Sequence, residues 1–431
     1  MSPLLIDIVY ILILTFGLPY AIYKVITSRR FRSGWGERFG GVPDLPSTRR
    51  FWLHCASVGE VLLARTLAAK LRAEYRDADI VLSTNTNTGR ETAQKAFPGH
   101  TVFYFPLDLS PVVRKVFARI KPSAVVLVEL ELWPNFLTAA RRQGVPVVVV
   151  NGRITEHSVI WHRRLRWCRG RILDAVRHFA VQNGEYAEGL LRIGIPRDRI
   201  TVAGTMKYDT VATAVSPDVV QGYKGLLRLR SEDAVILGGC THSGEDELLI
   251  DYARKRREAG AAVRLILAPR HRERADAVAR LINGAGFEPI RKTALDAGAA
   301  PAGFENGPHI VLIDTTGELA RLYSLATVVF VGGSLVEHGG HNMIEPAALG
   351  KPVVFGPHTR NFRETVEMLL SRRAAIQVDG PGSLAAALDK LLADPNCRAE
   401  LGANAKKLVE DSKGATERNF QAIRPFLDGT R

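Results

Sequence analysis

The chain of 431 residues is too long for one ordinary hydrophobic core, so two folded domains are expected. Hydrophobic residues make up 46% and charged residues 24% of it, which excludes a largely disordered protein. The 58 lysines and arginines outnumber the 44 aspartates and glutamates, and this positive charge favours an anionic partner. Four cysteines without a Cys-x-x-Cys pair argue against a zinc ribbon and indicate a reducing compartment.

The chain begins with an apolar segment. Residues 3–26 have about the length that spans a bilayer, and Arg29, Arg30 and Arg32 follow them. Because the basic residues follow the apolar run, the positive-inside rule places the rest of the chain in the cytosol, and a cleaved signal peptide is not expected. We predict a membrane anchor over residues 1–27. Since Asp7 interrupts the apolar run, an interfacial helix is as open as a spanning one.

Beyond this segment, strand-like and helix-like patterns alternate in two series. The first series has predicted strands at residues 51–56, 80–84, 124–129, 147–150, 179–181 and 200–203. The second has predicted strands at residues 234–237, 263–268, 310–313, 327–331 and 353–355. Strands that alternate with helices indicate parallel sheets covered on both faces. We therefore predict an α/β protein with two such domains, at residues 31–212 and 228–431, and a cleft between them.

Ionisable residues follow several strands of the first series. HCASVGE ends at Glu60 in the first turn of a helix, where the helix dipole should keep the carboxylate ionised and able to accept a proton. Simple charge complementation of the helix N-terminus is the alternative. Glu129 and Glu131 follow a buried strand, where an unpaired carboxylate is costly. Lys207, in GTMKYD, could hold an anionic group or could simply be solvated.

The second series offers a nucleotide site. Arg270 follows a strand, and the segment DTTGEL places Gly317 at a helix start whose free backbone N–H groups suit a phosphate. In GGSLVEHGGHNMIEPAALG, Glu345 lies at a helix N-terminus, either in a capping box with Asn342 or as the cap residue before Pro346. Capping alone would explain that pair, but ligands bind where strands of an open parallel sheet pass into helices.

No metal site is predicted. His338 and His341 have the spacing of paired ligands, but the two glycines between them make a poor rigid chelate.

The motifs together resemble the bacterial 3-deoxy-D-manno-octulosonic acid (Kdo) transferases. ASVGE, ELWPN, GTMKYD, APRHRER, DTTGEL and the segment from GGSLVEHGG to HTRNF occur in this order over nearly the whole chain. The resemblance implies a GT-B glycosyltransferase with two Rossmann-like domains, CMP-Kdo as donor and a tetraacyl disaccharide bisphosphate lipid A precursor as acceptor. It also implies an inverting reaction without metal or cofactor, on the cytoplasmic side of the bacterial inner membrane.

The same resemblance implies roles for individual residues. Glu60 matches the general base, and Glu129 and Lys207 match groups that stabilise the transition state. The acceptor belongs to the first domain and CMP to the second. The residues that match CMP-binding segments are Pro269, Arg270, Gly317, Glu318, Leu319, Asn342, Met343, Ile344 and Glu345.

Other functions remain open at this stage. Residues 161–171 mix basic and aromatic side chains, which is typical of a surface for lipid phosphates or nucleic acid, or of a solvated amphipathic helix. On a membrane-attached enzyme we expect anionic lipid and no nucleic acid. A GT-B nucleotide-sugar 2-epimerase is the alternative enzyme and would need neither anchor nor lipid acceptor. A non-enzymatic basic membrane-binding protein would leave the strand-end carboxylates unexplained.

Overall fold

A computed structural model describes residues 6–8, 10–11, 34–164, 173–261, 263–300, 303–304 and 307–430. The chain forms two compact units. Unit 1 comprises the chain up to Thr210 together with the segment from Ser412 onwards, and unit 2 comprises Val211–Asp411. Each unit is built on one seven-stranded parallel sheet, which confirms the predicted α/β fold.

The sheet of unit 1 has the strand order β3-β2-β1-β4-β5-β6-β7. Its strands are β1 (Arg50–His54), β2 (Asp79–Thr84), β3 (Thr101–Tyr104), β4 (Ala124–Val128), β5 (Val147–Gly152), β6 (Val176–Val181) and β7 (Ile200–Val202). Its helices are α1 (Trp35–Arg38), α2 (Val58–Glu74), α3 (Asn87–Ala96), α4 (Ser110–Ile120), α5 (Pro134–Arg142), α6 (Glu156–Arg164) and α7 (Gly184–Arg192). The order reverses between β1 and β4, and ligands bind beyond such a switch point in open α/β sheets.

The sheet of unit 2 has the strand order β10-β11-β9-β8-β12-β13-β14, with its switch point between β8 and β12. The strands are β8 (Val235–Thr241), β9 (Arg264–Pro269), β10 (Glu288–Arg291), β11 (His309–Leu312), β12 (Val328–Val331), β13 (Val353–Phe355) and β14 (Ile376–Gln377). The helices are α8 (Pro217–Leu226), α9 (Glu245–Glu258), α10 (Ala275–Gly284), α11 (Lys292–Asp296), α12 (Leu319–Leu322), α13 (Ile344–Ala348), α14 (Arg363–Ser371), α15 (Pro381–Ala393) and α16 (Pro395–Ser412).

The central strands are buried at every position. This holds for β4, β5 and β12, whose sequences are almost entirely valine, leucine, alanine and phenylalanine. Parallel strands with helices on both faces have no solvent side, and they therefore appear in the sequence as continuous apolar runs.

The end of the chain departs from the predicted domain boundary. The last helix, α17 (Ala415–Asp428), belongs to unit 1, so the second domain does not extend to residue 431 as predicted. Phe420, Ile423 and Leu427 are buried in a cluster of that unit. Asn419 is also buried, and its Oδ1 accepts a hydrogen bond from the backbone N–H of Asn151 at 2.8 Å. The hydrophobic face of α17 thus packs against residues of unit 1 that are distant in the sequence. Local sequence patterns therefore did not predict that this helix belongs to the first domain.

Within unit 1, Asp7 joins the N-terminal segment to the rest of the unit, and it is only 8% exposed. Its carboxylate accepts hydrogen bonds from Ser110 N and from Asn135 Nδ2, both at 2.8 Å, and from the Ser110 hydroxyl. Asp7 therefore caps the start of α4. Among the described residues, no helix is long and apolar enough to cross a membrane. Most of the predicted anchor, and the side chains of residues 161–171, lie outside the described part of the chain.

Candidate active site

Glu60 lies beyond the carboxyl end of β1, next to the switch point of unit 1. Ser57 is the N-cap of α2, and its Oγ accepts a hydrogen bond from Glu60 N at 3.4 Å. In return, Glu60 Oε1 accepts a hydrogen bond from Ser57 Oγ at 2.8 Å and Oε2 accepts one from Ala56 N at 2.7 Å. The segment ASVGE thus folds into a reciprocal cap that holds the carboxylate in place.

The protonation of Glu60 differs from the sequence prediction. Burial, together with the nearby carboxylates of Glu129 and Glu131, raises the pKa of Glu60 to about 7 against the hydrogen bonds from Ser57 and Ala56. The sequence prediction of an ionised carboxylate considered only the helix dipole, whereas burial in the structure favours the protonated form. A carboxylate with a pKa close to neutral is suited to general base catalysis.

Glu129 follows β4, the strand next to β1 across the switch point. Its φ of 65° is left-handed, which is rare for a residue with a side chain, and its backbone N–H donates to Val150 O at 2.9 Å. Such strain persists only where the surroundings fix it, and it is concentrated at functional sites. Glu131 accepts hydrogen bonds from Trp133 Nε1 at 3.1 Å and from Asn85 Nδ2 at 3.5 Å.

Lys207 lies in the 3-10 helix Met206–Thr210, which packs against α2, the helix that carries Glu60. The backbone N–H of Met206 donates to Asn151 Oδ1 at 3.0 Å. Asn151 is fully buried and has a φ of 53°. The sequence analysis missed it, although an Asn-Gly pair after four valines is a signal for a special backbone position.

In unit 2, a buried carboxylate that sequence reasoning missed organises the site. Glu245, at the start of α9, is fully buried. Its carboxylate accepts hydrogen bonds from four backbone N–H groups at 2.7 to 3.0 Å, those of His242, Gly333, Ser334 and Leu335. This network ties the loop after β12 to the loop after β8. The acidic run GEDE after a strand was the available signal.

Glycine is required at the same place. A Cβ at Gly332 would lie 2.5 Å from Cys240 O, so with a larger residue the start of the loop after β12 could not lie this close to the end of β8. β8 also continues to Thr241, beyond its predicted end at residue 237.

Histidines cluster beside these loops. His242 Nε2 and His341 Nε2 are 2.8 Å apart, and the ring of His338 stacks on that of His242 with 4.0 Å between centroids. Burial, together with the neighbouring histidines and Arg270, lowers the pKa of His242 and of His341 to about 4. The pair is therefore neutral at neutral pH, with one ring donating to the other. Within the described part of the chain, no group of His, Cys, Asp and Glu could hold a metal ion.

The predicted CMP-binding segments follow β9, β11 and β12, so they lie at one edge of one sheet. Pro269 ends β9, and the backbone N–H of Arg270 donates to Thr241 O at 3.0 Å. Gly317 has a φ of 87°. Glu318 forms an ion pair with Lys292 at 2.8 Å, which fixes the loop before Leu319.

The helix start at Glu345 differs from both predicted placements. Met343 is the N-cap of α13, so Ile344 is the first helical residue and Glu345 the second. Asn342 Oδ1 accepts a hydrogen bond from Ile344 N at 3.0 Å, and Asn342 Nδ2 donates to Glu345 Oε1 at 3.0 Å. Pro346 is tolerated at the third position because first-turn N–H groups have no partner within the helix. Burial raises the pKa of Glu345, and the bond from Asn342 partly offsets this.

Comparison with known proteins agrees with this geometry. Residues 33–210 match the family model "3-Deoxy-D-manno-octulosonic-acid transferase (kdotransferase)", and residues 242–408 match "Glycosyl transferases group 1". A 3-deoxy-D-manno-octulosonic acid transferase of Haemophilus influenzae is 30% identical over 409 residues, covering 94% of this chain and 93% of its own. One of Bordetella pertussis is 31% identical over 406 residues, covering 90% of each chain.

Solved structures show the same fold. A glycosyltransferase from Rickettsia africae has a TM-score of 0.59 at 11% identity, and covers 89% of this chain and 100% of its own. A putative UDP-N-acetylglucosamine 2-epimerase from Listeria monocytogenes has a TM-score of 0.58 at 13% identity, with 89% and 98% covered. The two sheets and these neighbours define a GT-B fold. The chain belongs to the 3-deoxy-D-manno-octulosonic acid transferase family of glycosyltransferases.

Proposed function

We propose that the protein transfers Kdo from CMP-Kdo to a hydroxyl group of a lipid A precursor, releasing CMP, in lipopolysaccharide biosynthesis. The family membership supports the donor and the reaction. The observation that carries the proposal is Glu60, a capped and buried carboxylate at a switch point with a pKa of about 7. A 2-epimerase remains disfavoured, since the epimerase structures share only the fold with this chain.

In the proposed reaction, Glu60 accepts the proton of the attacking hydroxyl group. The hydroxyl oxygen forms a bond to the anomeric carbon of Kdo, and the bond from that carbon to the phosphate oxygen of CMP breaks. CMP leaves with the electron pair, so negative charge develops on its phosphate, and the configuration inverts. Arg270, beside the neutral pair of histidines, supplies positive charge on the nucleotide side. Each atom and charge is accounted for without a metal ion.

Glu129 and Lys207 are proposed to act on the charges that change during transfer. Glu129 already raises the pKa of Glu60, so its carboxylate favours proton uptake by the base. A cation such as Lys207 suits the carboxylate that Kdo itself carries. The neighbouring strand ends β1 and β4 supply the two glutamates, which supports their joint action.

We also propose attachment to the cytoplasmic side of the bacterial inner membrane. The apolar run at residues 3–26 and the arginines after it support this location. The side chains of Ile8 and Ile11 are 46% and 54% exposed, whereas the side chain of Asp7 is buried against the rest of unit 1. Exposed apolar side chains on one side of a docked segment suit an interfacial position.

The direct test is incubation of purified protein with CMP-Kdo and a tetraacyl lipid A precursor, followed by mass spectrometry of the lipid. We expect the lipid to gain the mass of one or more Kdo residues and CMP to be released in equal amount. Consumption of CMP-Kdo without any gain of mass by the lipid would refute the proposed acceptor.

A further inference from the structure

Two arginines share one aromatic ring at the carboxyl end of β3. The guanidinium carbons of Arg38 and Arg90 lie 4.5 Å and 4.8 Å from the centroid of the Tyr104 ring. Gly34 packs directly against the same ring, because a Cβ there would lie 2.1 Å from Tyr104 Cε2. Tyr104 is 3% exposed. The ring therefore fixes where both guanidinium groups lie.

The charges at this ring do not balance. Arg90 pairs with Glu37, whose carboxylate also accepts a hydrogen bond from Tyr104 N at 2.8 Å. Arg38 Nη2 donates to Asn85 O at 2.6 Å, and no carboxylate of the described residues lies within ion-pair distance of Arg38. Burial lowers the pKa of Arg38, and Tyr104 and Glu37 offset this only in part. Two cations and one anion leave one positive charge without a partner in a half-buried place.

This excess charge lies on the same sheet edge as Glu60. The backbone N–H of Asn85 donates to Ala56 O at 3.3 Å, and Ala56 N donates to Glu60 Oε2 at 2.7 Å. The residue that holds the Arg38 guanidinium is thus hydrogen-bonded to the residue that holds the Glu60 carboxylate. Since β3 lies two strands from β1, their ends are about 10 Å apart. A sugar substrate that reacts at Glu60 can reach Arg38 with an anionic substituent.

We propose that Arg38 binds a phosphomonoester group of the acceptor lipid and so selects phosphorylated acceptors. This inference rests on the proposed function. The planar guanidinium suits a phosphate because its N–H groups match two phosphate oxygens at once. Glu37 does not compete for Arg38 because it is committed to Arg90 and to Tyr104 N. A phosphate of an anionic membrane lipid has the same chemistry, and the experiment below separates the two sources.

The test compares Arg38→Gln and Arg38→Lys with a matched control, Arg76→Gln. Arg76 is an exposed arginine of unit 1, so its substitution removes the same charge elsewhere. Transfer from CMP-Kdo is measured in neutral detergent micelles with bisphosphorylated acceptor and with each monophosphorylated form. Arg38→Gln should lower kcat/KM for the bisphosphorylated acceptor by about 10- to 100-fold, the scale of hydrogen bonds to charged groups. It should also abolish the preference over one monophosphorylated form, whereas Arg76→Gln should leave that preference intact and KM for CMP-Kdo should not change.

Several outcomes would overturn the assignment. If Arg38→Gln keeps the parent preference for phosphorylated acceptors, Arg38 does not read the phosphate. If the parent protein transfers Kdo to no acceptor, the proposed function itself fails, which is a different result. If Arg38→Gln does not fold, Arg38→Lys decides: a rise in KM only for phosphorylated acceptor supports the inference, and an equal rise for all acceptors refutes it.

Vesicle binding identifies the source of the phosphate. Sedimentation with phosphatidylglycerol vesicles should be equal for Arg38→Gln, Arg76→Gln and the parent protein. Loss of vesicle binding by Arg38→Gln with unchanged acceptor preference would assign the anion to the membrane and overturn the proposal.

Discussion

Replacement of Glu60 by glutamine separates its chemical role from its structural one. Glutamine keeps the size of glutamate and an oxygen that can accept the hydrogen bond from Ala56 N, but it cannot take up a proton at neutral pH. A general base contributes about 10² to 10⁴ in rate, so kcat for Kdo transfer should fall by roughly that factor or more. CMP affinity should not change, because the residues predicted to bind CMP are in unit 2.

The pH dependence gives a second readout. Because burial raises the pKa of Glu60 to about 7, kcat/KM of the parent protein should rise with pH through that value as the base loses its proton. The glutamine variant should lack this limb of the profile. Transfer assays at saturating CMP-Kdo across this range measure both quantities. Glu91→Gln, on the exposed face of α3, is the matched control and should behave as the parent does.

Loss of a helix-capping residue usually lowers the free energy of unfolding. We expect Glu60→Gln instead to raise it, relative to the parent, at neutral pH. The pKa of Glu60 is raised in the folded state, so the ionised group costs stability as pH rises from the unfolded pKa of about 4.3 through 7. Relative to the parent, the variant should therefore gain stability with pH, by up to about 3 kcal/mol, less the 0.3 to 1 kcal/mol lost at the helix N-terminus. Denaturant unfolding at several pH values measures this difference. Near-normal transfer by Glu60→Gln would remove Glu60 from the mechanism and redirect attention to Glu129 or Glu131.

Three further changes test the site and the N-terminal segment. Glu345→Ala should weaken CMP binding, measured by calorimetry, by about 1 to 3 kcal/mol; a lower Tm with unchanged affinity would leave Glu345 only a structural role. Asp7→Ala leaves Ser110 N without its acceptor and removes one of the two acceptors of Asn135 Nδ2, and unit 1 should lose about 1 to 3 kcal/mol, measured by denaturant unfolding. Removal of residues 1–27 should abolish vesicle sedimentation and keep CMP binding; a folded truncation that binds no CMP would contradict the assignment of CMP to unit 2.

The main strands were predictable because their burial is visible in the sequence. β4, β5 and β12 are continuous apolar runs, as parallel strands with two covered faces must be. β3, β10 and β14 were missed, because they lie at sheet edges, are two to four residues long and contain exposed or half-buried positions. β8 was predicted too short because Gly238 and Gly239 read as a strand end. They belong to the strand, where they pair with Phe330 and Val331 of β12, and glycine is needed because a Cβ at Gly239 would lie 2.3 Å from Tyr323 Oη.

The candidate site was predictable only where a local motif marks it. Glu60 could be placed at a helix start from ASVGE alone, but its raised pKa depends on burial and on Glu129, which is far away in the chain. The bonds of Glu245 to the loop after β12 cross 88 to 90 residues, and no local pattern contains them. The sequence analysis did not single out Arg38 either. The neighbouring Glu37 could have been its counter-ion, and only the structure shows that Glu37 pairs with Arg90 instead.

Each of the two units has a glutamate at an equivalent position of its sheet, but the two carboxylates have different hydrogen-bonding environments. In each sheet, a glutamate follows one of the two strands that flank the switch point, Glu60 after β1 and Glu245 after β8. Glu245 receives four backbone N–H bonds, so all its capacity serves to join two loops. Glu60 receives two bonds and faces further carboxylates, so its charged form is under-stabilised and a proton is readily taken up. Equivalent positions in the two sheets thus carry a carboxylate that joins two loops in unit 2 and one that accepts two hydrogen bonds beside other carboxylates in unit 1.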